Sequence, residues 1–318
     1  MRSLSLRRAV CAGALALAGL AAATACSGVD ENGVTTGLAE PPPMVRLGRI
    51  HVAVQAPAEI ASDGPALEIS ARFVQYRGLD ESAVRQRVGL LPLTSERLKI
   101  GECAASEPLW ADEPAAREPA VNREVSLIDV GNIAVQLGEA SVDVPLSLVP
   151  DLLAYMSGVE YDLASESLPA RAWPSGEPGP TSVTITVDGA GDDELPGFIV
   201  RAPLPEPVVL QATPTSDRGS LLLEWGPDGR GAPIVLRLAS FIGSEPAGEE
   251  VACMVSDTGS HRVDLDALRA AGWGLSGDTL RVGATRVART RLDVGDSAYG
   301  EAADVVVEMR SETLVTWP

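Results

Sequence analysis

Few residues in this chain are of types that do chemistry, and their spacing restricts what they could do. There are two histidines, His51 and His261, and four cysteines, Cys11, Cys26, Cys103 and Cys253. That set is too small for a multi-ligand zinc, haem or iron–sulfur site. A Cys253–His261 nucleophile and base could be drawn on paper, yet alternating strand geometry gives no reason for the two side chains to meet. Asp257-Thr258-Gly259-Ser260 follows the apolar run Cys253-Met254-Val255 and offers one carboxyl group for acid–base work. Gly274-Leu275-Ser276-Gly277-Asp278 falls one position short of a Gly-x-Ser-x-Gly nucleophile elbow. The loop from Asp188 to Glu194 carries four carboxylates, Asp188, Asp192, Asp193 and Glu194, between glycines. Calcium takes such ligands. The loop lacks an Asp-x-Asp-x-Asp-Gly register, however, so a solvated acidic hairpin tip that discourages strand pairing is the competing reading. Aromatic residues make up 4% of the chain and do not cluster, which leaves no stacking platform for sugars.

The elements that must hold these residues read mostly as strands. Period-two alternation appears at Ile50, Val52, Val54, at Leu67, Ile69, Ala71, Phe73, and at Val183, Ile185, Val187. It is weaker in Ile133 to Leu137 and Val142 to Leu148. Turn residues bound each run, as expected of half-buried antiparallel strands. Asp80 can cap a helix over Glu81 to Val88 that Gly89 stops, and Asp264 can cap Leu265 to Ala271 before Gly272. Val149 to Met156 is ambiguous, because Pro150-Asp151-Leu152-Leu153 could open a helical turn. Further strands are expected over 208–212, 220–225, 233–241, 251–256, 279–290 and 303–316. The alternating prolines of Ala202-Pro203-Leu204-Pro205-Glu206-Pro207 stiffen the chain and withhold backbone donors. They are taken as a linker at 203–206 between a mostly-β domain at 44–202 and a second at 207–318. The fold class is therefore all-β in the main, with two β-sandwich-like domains, since no helix follows each strand.

The N-terminus reads as an address. Three arginines precede an apolar run from Ala9 to Ala23, closed by Ala23-Thr24-Ala25-Cys26. That order is the layout of a secretory signal peptide over 1–25. Leu20 to Cys26 resembles the cleavage box of bacterial lipoproteins. The resemblance implies that Cys26 becomes a lipidated N-terminus and that a following Ser permits delivery to the outer membrane. Ala23 and Ala25 also satisfy an ordinary Ala-x-Ala export site, which would release an unlipidated chain. Residues 26–43 are rich in Gly, Thr, Glu and Pro without a period and read as a tether. In an exported body only Cys103 and Cys253 remain, so one disulfide is expected, against the alternative of two separate buried thiols.

Two weaker resemblances complete the reading. Pro207 to Ser240, with Leu221-Leu222-Leu223-Glu224-Trp225 and Ile234-Val235-Leu236-Arg237-Leu238, is similar to a fibronectin type III or immunoglobulin-like sandwich, which implies that Trp225 lies in a core between sheets. Asp257-Thr258-Gly259-Ser260 resembles the active-site loop of aspartic proteases, but no second copy follows. Arg281 also breaks the apolar step that the later strand of a dimeric enzyme would need. A tight turn around Asp257 and Gly259 is the alternative.

Acidic residues outnumber basic ones 44 to 25, for a net charge of −19 that becomes −22 once Arg2, Arg7 and Arg8 leave with the leader. Nucleic acid is excluded as a partner on electrostatic grounds. The expectation is a non-enzymatic exported lipoprotein without a cofactor, anchored to the membrane through Cys26. It would serve at the outer membrane, facing the periplasm or the cell surface, as a binding, adhesion or structural module, with another envelope protein as partner. A calcium-dependent module using the acidic loop is the alternative, and a protease using Asp257 the remote one.

Overall fold

Alternation of apolar and polar residues shapes most of this chain. The computed structural model describes residues 42–56, 65–90, 92–105, 124–153, 156–169, 179–190, 195–215, 219–273, 275, 277–292 and 302–316. Among these the chain forms β1 (Val45–Gln55), β2 (Ala66–Arg77), the helices α1 (Glu81–Arg87) and α2 (Thr94–Arg97), β3 (Cys103–Ala105), β4 (Glu124–Leu127) and β5 (Ile133–Leu137). There follow β6 (Ala140–Val144), β7 (Leu146–Leu153), β8 (Met156–Ser167), β9 (Ser182–Ala190), β10 (Leu195–Pro203), β11 (Gln211–Pro214) and β12 (Ser220–Glu224). The last elements are β13 (Ile234–Ile242), β14 (Glu245–Pro246), β15 (Val251–Val255), β16 (Ser260–Asp264), α3 (Leu265–Ala270), β17 (Thr279–Arg291) and β18 (Ala302–Thr316). The protein is mostly β, as its alternation requires.

One sheet dominates, in the order β3-β15-β13-β17-β18-β1-β2-β8-β7, with β14 beside β13 and β4 beside β2. Its β1–β18 pair is parallel and joins the first described strand to the last, Arg49 opposite Asp304 and Val52 opposite Val307. From β15 to β8, one face of this sheet is apolar. Toward β1, Ile50, Val52, Val54, Ile69, Phe73, Val305 and Val307 pack with Ile133, Val135, Val183 and Ile185 of the sheet β10-β9-β5-β6. Toward β13, Leu236, Leu238, Val282 and Val251 pack with Leu221, Leu223, Trp225 and Val263, from and beside the sheet β11-β12-β16. Burying each such Val, Leu or Ile stabilises the fold by about 1.5–3 kcal/mol. Two sandwich cores therefore share one sheet. Strand β18 feeds both from its odd-numbered positions, Val305 and Val307 in the first and Val315 in the second.

This sharing corrects the expected division at 203–206. Pro43–Pro318 is one compact unit. Leu292, Ala303 and Met309, from beyond the prolines, sit in the core built by residues before them. The segment carries the chain from β10 to β11, from one small sheet to the other. Pro203 closes β10 opposite Ser182, and Pro205 and Pro207, which have no backbone N–H to donate to a ladder, suit the passage beyond it.

The helix caps form as the residue types require. The Asp80 carboxylate accepts from the backbone N–H of Ser82 at 2.8 Å, and that of Asp264 from Ala267 at 2.8 Å. Helix α1 covers the opposite face of β1, β2 and β4, where Val84 and Val88 meet Leu47, Val74 and Tyr76. Of the ambiguous segment at 149–156, the described residues are strand rather than helix: 149–153 end β7 and Met156 begins β8, with a register shift in their antiparallel pairing between Val149 and Leu153 that spans Pro150. A bulge is where a strand tolerates proline. Among the described residues, no helix is long and apolar enough to cross a membrane.

Gly158 on β8 has φ +130°, and a Cβ there would lie 2.0 Å from the Leu127 carbonyl oxygen of β4. Gly101 has φ +91° with nothing within 4 Å of the same point. Both positions strain an alanine, but only the first adds a collision with backbone. In urea denaturation, Gly158→Ala is expected to lose about 2–3 kcal/mol, and Gly101→Ala about 1 kcal/mol. Equal losses would show that the close approach of β4 to β8 is absent.

Candidate functional site

The face of the large sheet opposite the two cores carries the densest set of ionisable groups. It follows from the same alternation. On β1 the residues between Ile50 and Val52 and to either side are Arg49 and His51. On β18 those between Ala303, Val305, Val307 and Met309 are Asp304, Val306, Glu308 and Arg310. The parallel register sets Arg49 against Asp304 and Ala53 against Glu308.

Two ion clusters result. In the first, Arg49 Nε donates to Asp304 Oδ1 at 3.1 Å, while its two Nη atoms donate to the Glu96 carboxylate at 3.3 and 3.2 Å. Arg289 of β17 donates from Nε to Asp304 Oδ2 at 3.0 Å and also pairs with Glu96. Glu96 is oriented from the other side by the Leu93 N–H at 2.7 Å, at the start of α2. In the second cluster, His51 Nε2 lies 3.4 Å from Glu308 Oε2. Arg310 donates to Glu308 Oε2 from Nε at 3.0 Å and Nη2 at 2.9 Å, and from Nη1 to Glu68 Oε2 at 2.7 Å. Farther along, Arg237 donates to Thr285 Oγ1 at 3.0 Å, and both Arg237 and Arg281 face Glu250.

Glu308 is the most perturbed acid of this face, with 3% of its surface exposed. Burial by itself would raise its pKa, but the His51 ring beside it and the charges of Arg310 and Arg237 hold it at about 2. Burial would likewise lower Arg310, and Glu308 and Glu68 instead raise it. Beside His51 lies a cavity of about 70 Å³ lined by Arg49, Ser70, Arg72, Gly89, Leu90 and Leu93. It has room for water or a small ion. The arrangement holds charges against one another, so its chemical capacity is electrostatic: it fixes β1, β2, β17 and β18 in register. A wider, polar groove of about 390 Å³ lies on the outer face of the β10-β9-β5-β6 sheet, lined by Gln136, Thr181, Ser182, Thr184 and Arg201 among others.

The residues singled out in the sequence fall elsewhere. Cys103 and Cys253 are bonded, at an S–S distance of 2.07 Å. The bond leaves no thiol at Cys253 to act with His261. His261 sits on β16 opposite Leu223, and burial lowers its pKa. Asp257 accepts from Trp225 Nε1 at 2.7 Å, from the Asp228 N–H at 3.1 Å and from Arg286 Nη2 at 3.0 Å. Burial alone would raise the pKa of Asp257, and the Trp225, Asp228 and Arg286 contacts lower it. A proton-sharing pair of acids needs a second carboxylate in that place; here the place is taken by a guanidinium. Trp225 lies in the second core, with its indole N–H satisfied by this carboxylate. Asp188, at the end of the β9 alternation, is exposed and accepts from Asn132 Nδ2 at 3.0 Å. Asp192, Asp193, Glu194 and Cys26 lie outside the described residues. Among those described, no three His, Cys, Asp or Glu side chains group as metal ligands.

Sequence reasoning missed Arg49, Glu96, Arg289, Asp304, Glu308 and Arg310. The signal was present: ionisable residues sit at alternate positions of β1, at Arg49 and His51, and of β18, at Asp304, Glu308 and Arg310. No local pattern says which carboxylate meets which guanidinium.

No protein-family model matches this sequence, and no curated protein matches it. Among solved structures it is similar to the yeast delta-COP-I mu-homology domain. In complex with a Dsl1 WxWxV peptide that domain gives 9% identity, a TM-score of 0.22 and coverage of 86% of this chain and 98% of the other. Without the peptide the values are 11%, 0.21, 86% and 98%. TM-scores this low do not establish a shared fold.

Because Glu308 has a lower pKa folded than unfolded, it stabilises the fold above about pH 4.5, and that contribution fades as pH falls toward about 2. In urea denaturation Glu308→Gln is expected to cost on the order of 3 kcal/mol at pH 7. The gap from the parent should close between pH 5 and pH 2, whereas a gap independent of pH would show that the carboxylate's charge is not what matters. Asp257→Asn leaves Arg286 buried without its counter-charge and is expected to cost about 3–5 kcal/mol. A loss under 1 kcal/mol would remove the pair from its structural role.

Proposed function

We propose that this protein is an exported lipoprotein, held to the membrane by acyl chains on Cys26, whose β body serves as a non-enzymatic binding, adhesion or structural module at the outer membrane or cell surface. The observation that carries the reading is the leader: a basic start, an apolar run of about 15 residues, too short to span a bilayer, and Ala23-Thr24-Ala25-Cys26 at its end. The disulfide adds support. Beyond the acylated Cys26, an exported body retains two cysteines, Cys103 and Cys253, and they are paired, as suits an oxidising compartment.

The groups best suited to catalysis support the non-enzymatic part of the reading through their engagements. Asp257 is held by Trp225 and Arg286, Cys253 by Cys103, and His51 faces Glu308 across 3.4 Å. Acyl chains hold a protein to a bilayer by burying methylenes at about 0.8 kcal/mol each, and an apolar transmembrane helix is unnecessary.

Metabolic labelling with palmitate tests the anchor. Label is expected on the parent chain in the membrane fraction and absent from Cys26→Ala, which should then fractionate as a soluble protein. An unlabelled parent, or one retaining Met1, would overturn the reading.

A further inference from the structure

Strand β15 is buried along its whole length, with Val251, Cys253 and Val255 in the second core and Ala252 and Met254 packed with Val235 and Leu98 on the other side. It stands one place from the end of the large sheet, and among the described residues the edge beyond it is covered by β3. Strand β3 is three residues long, with Ala105 opposite Val251, Ala104 opposite Ala252 and Cys103 opposite Cys253. Next to it, Gly101 N–H donates to the Met254 carbonyl at 2.8 Å and Met254 N–H to the Glu102 carbonyl at 3.0 Å. Met254 thus directs its backbone groups toward β3, and by alternation Ala252 does the same. Val251, Cys253 and Val255 then turn theirs toward β13, where they stand opposite Leu238, Leu236 and Ile234. Cys103 and Cys253 therefore form the close, non-hydrogen-bonded type of antiparallel pair, with Cα atoms 4.0 Å apart. A strand this short, with two alanines, brings little packing of its own. The disulfide is its covalent tie to β15, added to the ladder and to the hydrogen bonds of Gly101 and Glu102.

We propose that the Cys103–Cys253 disulfide is a redox lock on the sheet edge: intact, it holds β3 over β15, and once reduced it frees β15 to pair with β15 of a second copy of this chain. The occupant follows from what β15 demands. Val251-Ala252-Cys253-Met254-Val255 has no charge, proline or glycine, and any strand beside it needs apolar side chains on both faces. An uncovered strand of this kind is a template for edge pairing. Its own copy meets that demand, and antiparallel pairing about a two-fold axis is self-complementary. The inference does not rest on the lipid anchor.

Opening uses a dithiol reductant. Its thiolate attacks Sγ of Cys103, since residue Cys103 is exposed and residue Cys253 is buried. Cys253 leaves as a thiolate and takes up a proton. The second thiol of the reductant then closes on its own sulfur and releases Cys103 as a thiol, so two electrons and two protons pass to the protein.

Amide hydrogen exchange and sedimentation of the full chain test the lock, with Cys11→Ser and Cys26→Ser in place so that no other thiol reports. Dithiothreitol, or the further change Cys103→Ser, is expected to speed exchange at Ala252 and Met254 at least tenfold at low protein concentration. Val251, Cys253 and Val255, and Val305 and Val307 of β18, should keep their protection. At higher concentration the reduced protein should sediment as a dimer and the oxidised protein as a monomer. Unchanged exchange at Met254, a uniform loss of protection across β13, β17 and β18, or a reduced protein that stays monomeric would each overturn the proposal.

Discussion

The parallel pairing of β1 with β18 is the constraint on which the rest of this structure depends. It brings residues some 255 positions apart into register, as the Arg49–Asp304 contact records. It also makes a single sheet from strands that would otherwise belong to two separate sandwiches. Without it, β2, β8 and β7 would be cut off from β17, β13 and β15, and each small sheet would cover half a platform. With it, the alternation of every strand agrees about which side is inside. The odd positions of β18 serve both cores, so neither core is complete without the C-terminal strand.

The same agreement produces the charged face. Once Ile50, Val52, Val305 and Val307 point inward, Arg49, His51, Asp304 and Glu308 have to point the other way. There α1, α2 and neighbouring strands partly cover them. Partial burial of charge costs free energy unless a partner is close. Arg49 has Asp304 and Glu96, and Glu308 has His51 and Arg310. Asp257 and Arg286 solve the same problem at the second core, where the carboxylate also satisfies the Trp225 indole. A chain of net charge −19 thus places several of its arginines where a carboxylate has to be neutralised, and the result is register and rigidity. The disulfide extends this logic to the one edge whose strand is apolar on both faces.

Much of this could be read from residues in order. Runs such as Ile50–Val54 and Val183–Val187 announced strands because period two needs no distant information. Asp80 and Asp264 announced helix starts because a cap acts within three residues. The β7–β8 hairpin was less legible, since Pro150-Asp151-Leu152-Leu153 suits a helical first turn as well as a bulge, and only pairing with β8 selects the bulge. Asp257-Thr258-Gly259-Ser260 looked like chemistry because four residues cannot show that Arg286, 29 positions later, occupies the place of a second acid. The prolines at 203–206 looked like a boundary for a similar reason: they do interrupt strands, but whether a sheet closes around an interruption depends on strands far from it.

Local order therefore settled the β character of the chain, the faces of its strands and the helix caps. Tertiary structure alone decided that the two cores share a sheet, that Cys103 meets Cys253, and which acid neutralises which base. The difference is one of range. Alternation and capping act between neighbours within a few residues, whereas a cross-strand partner is chosen by register, and register here is set by burying two apolar faces at once across the length of the chain.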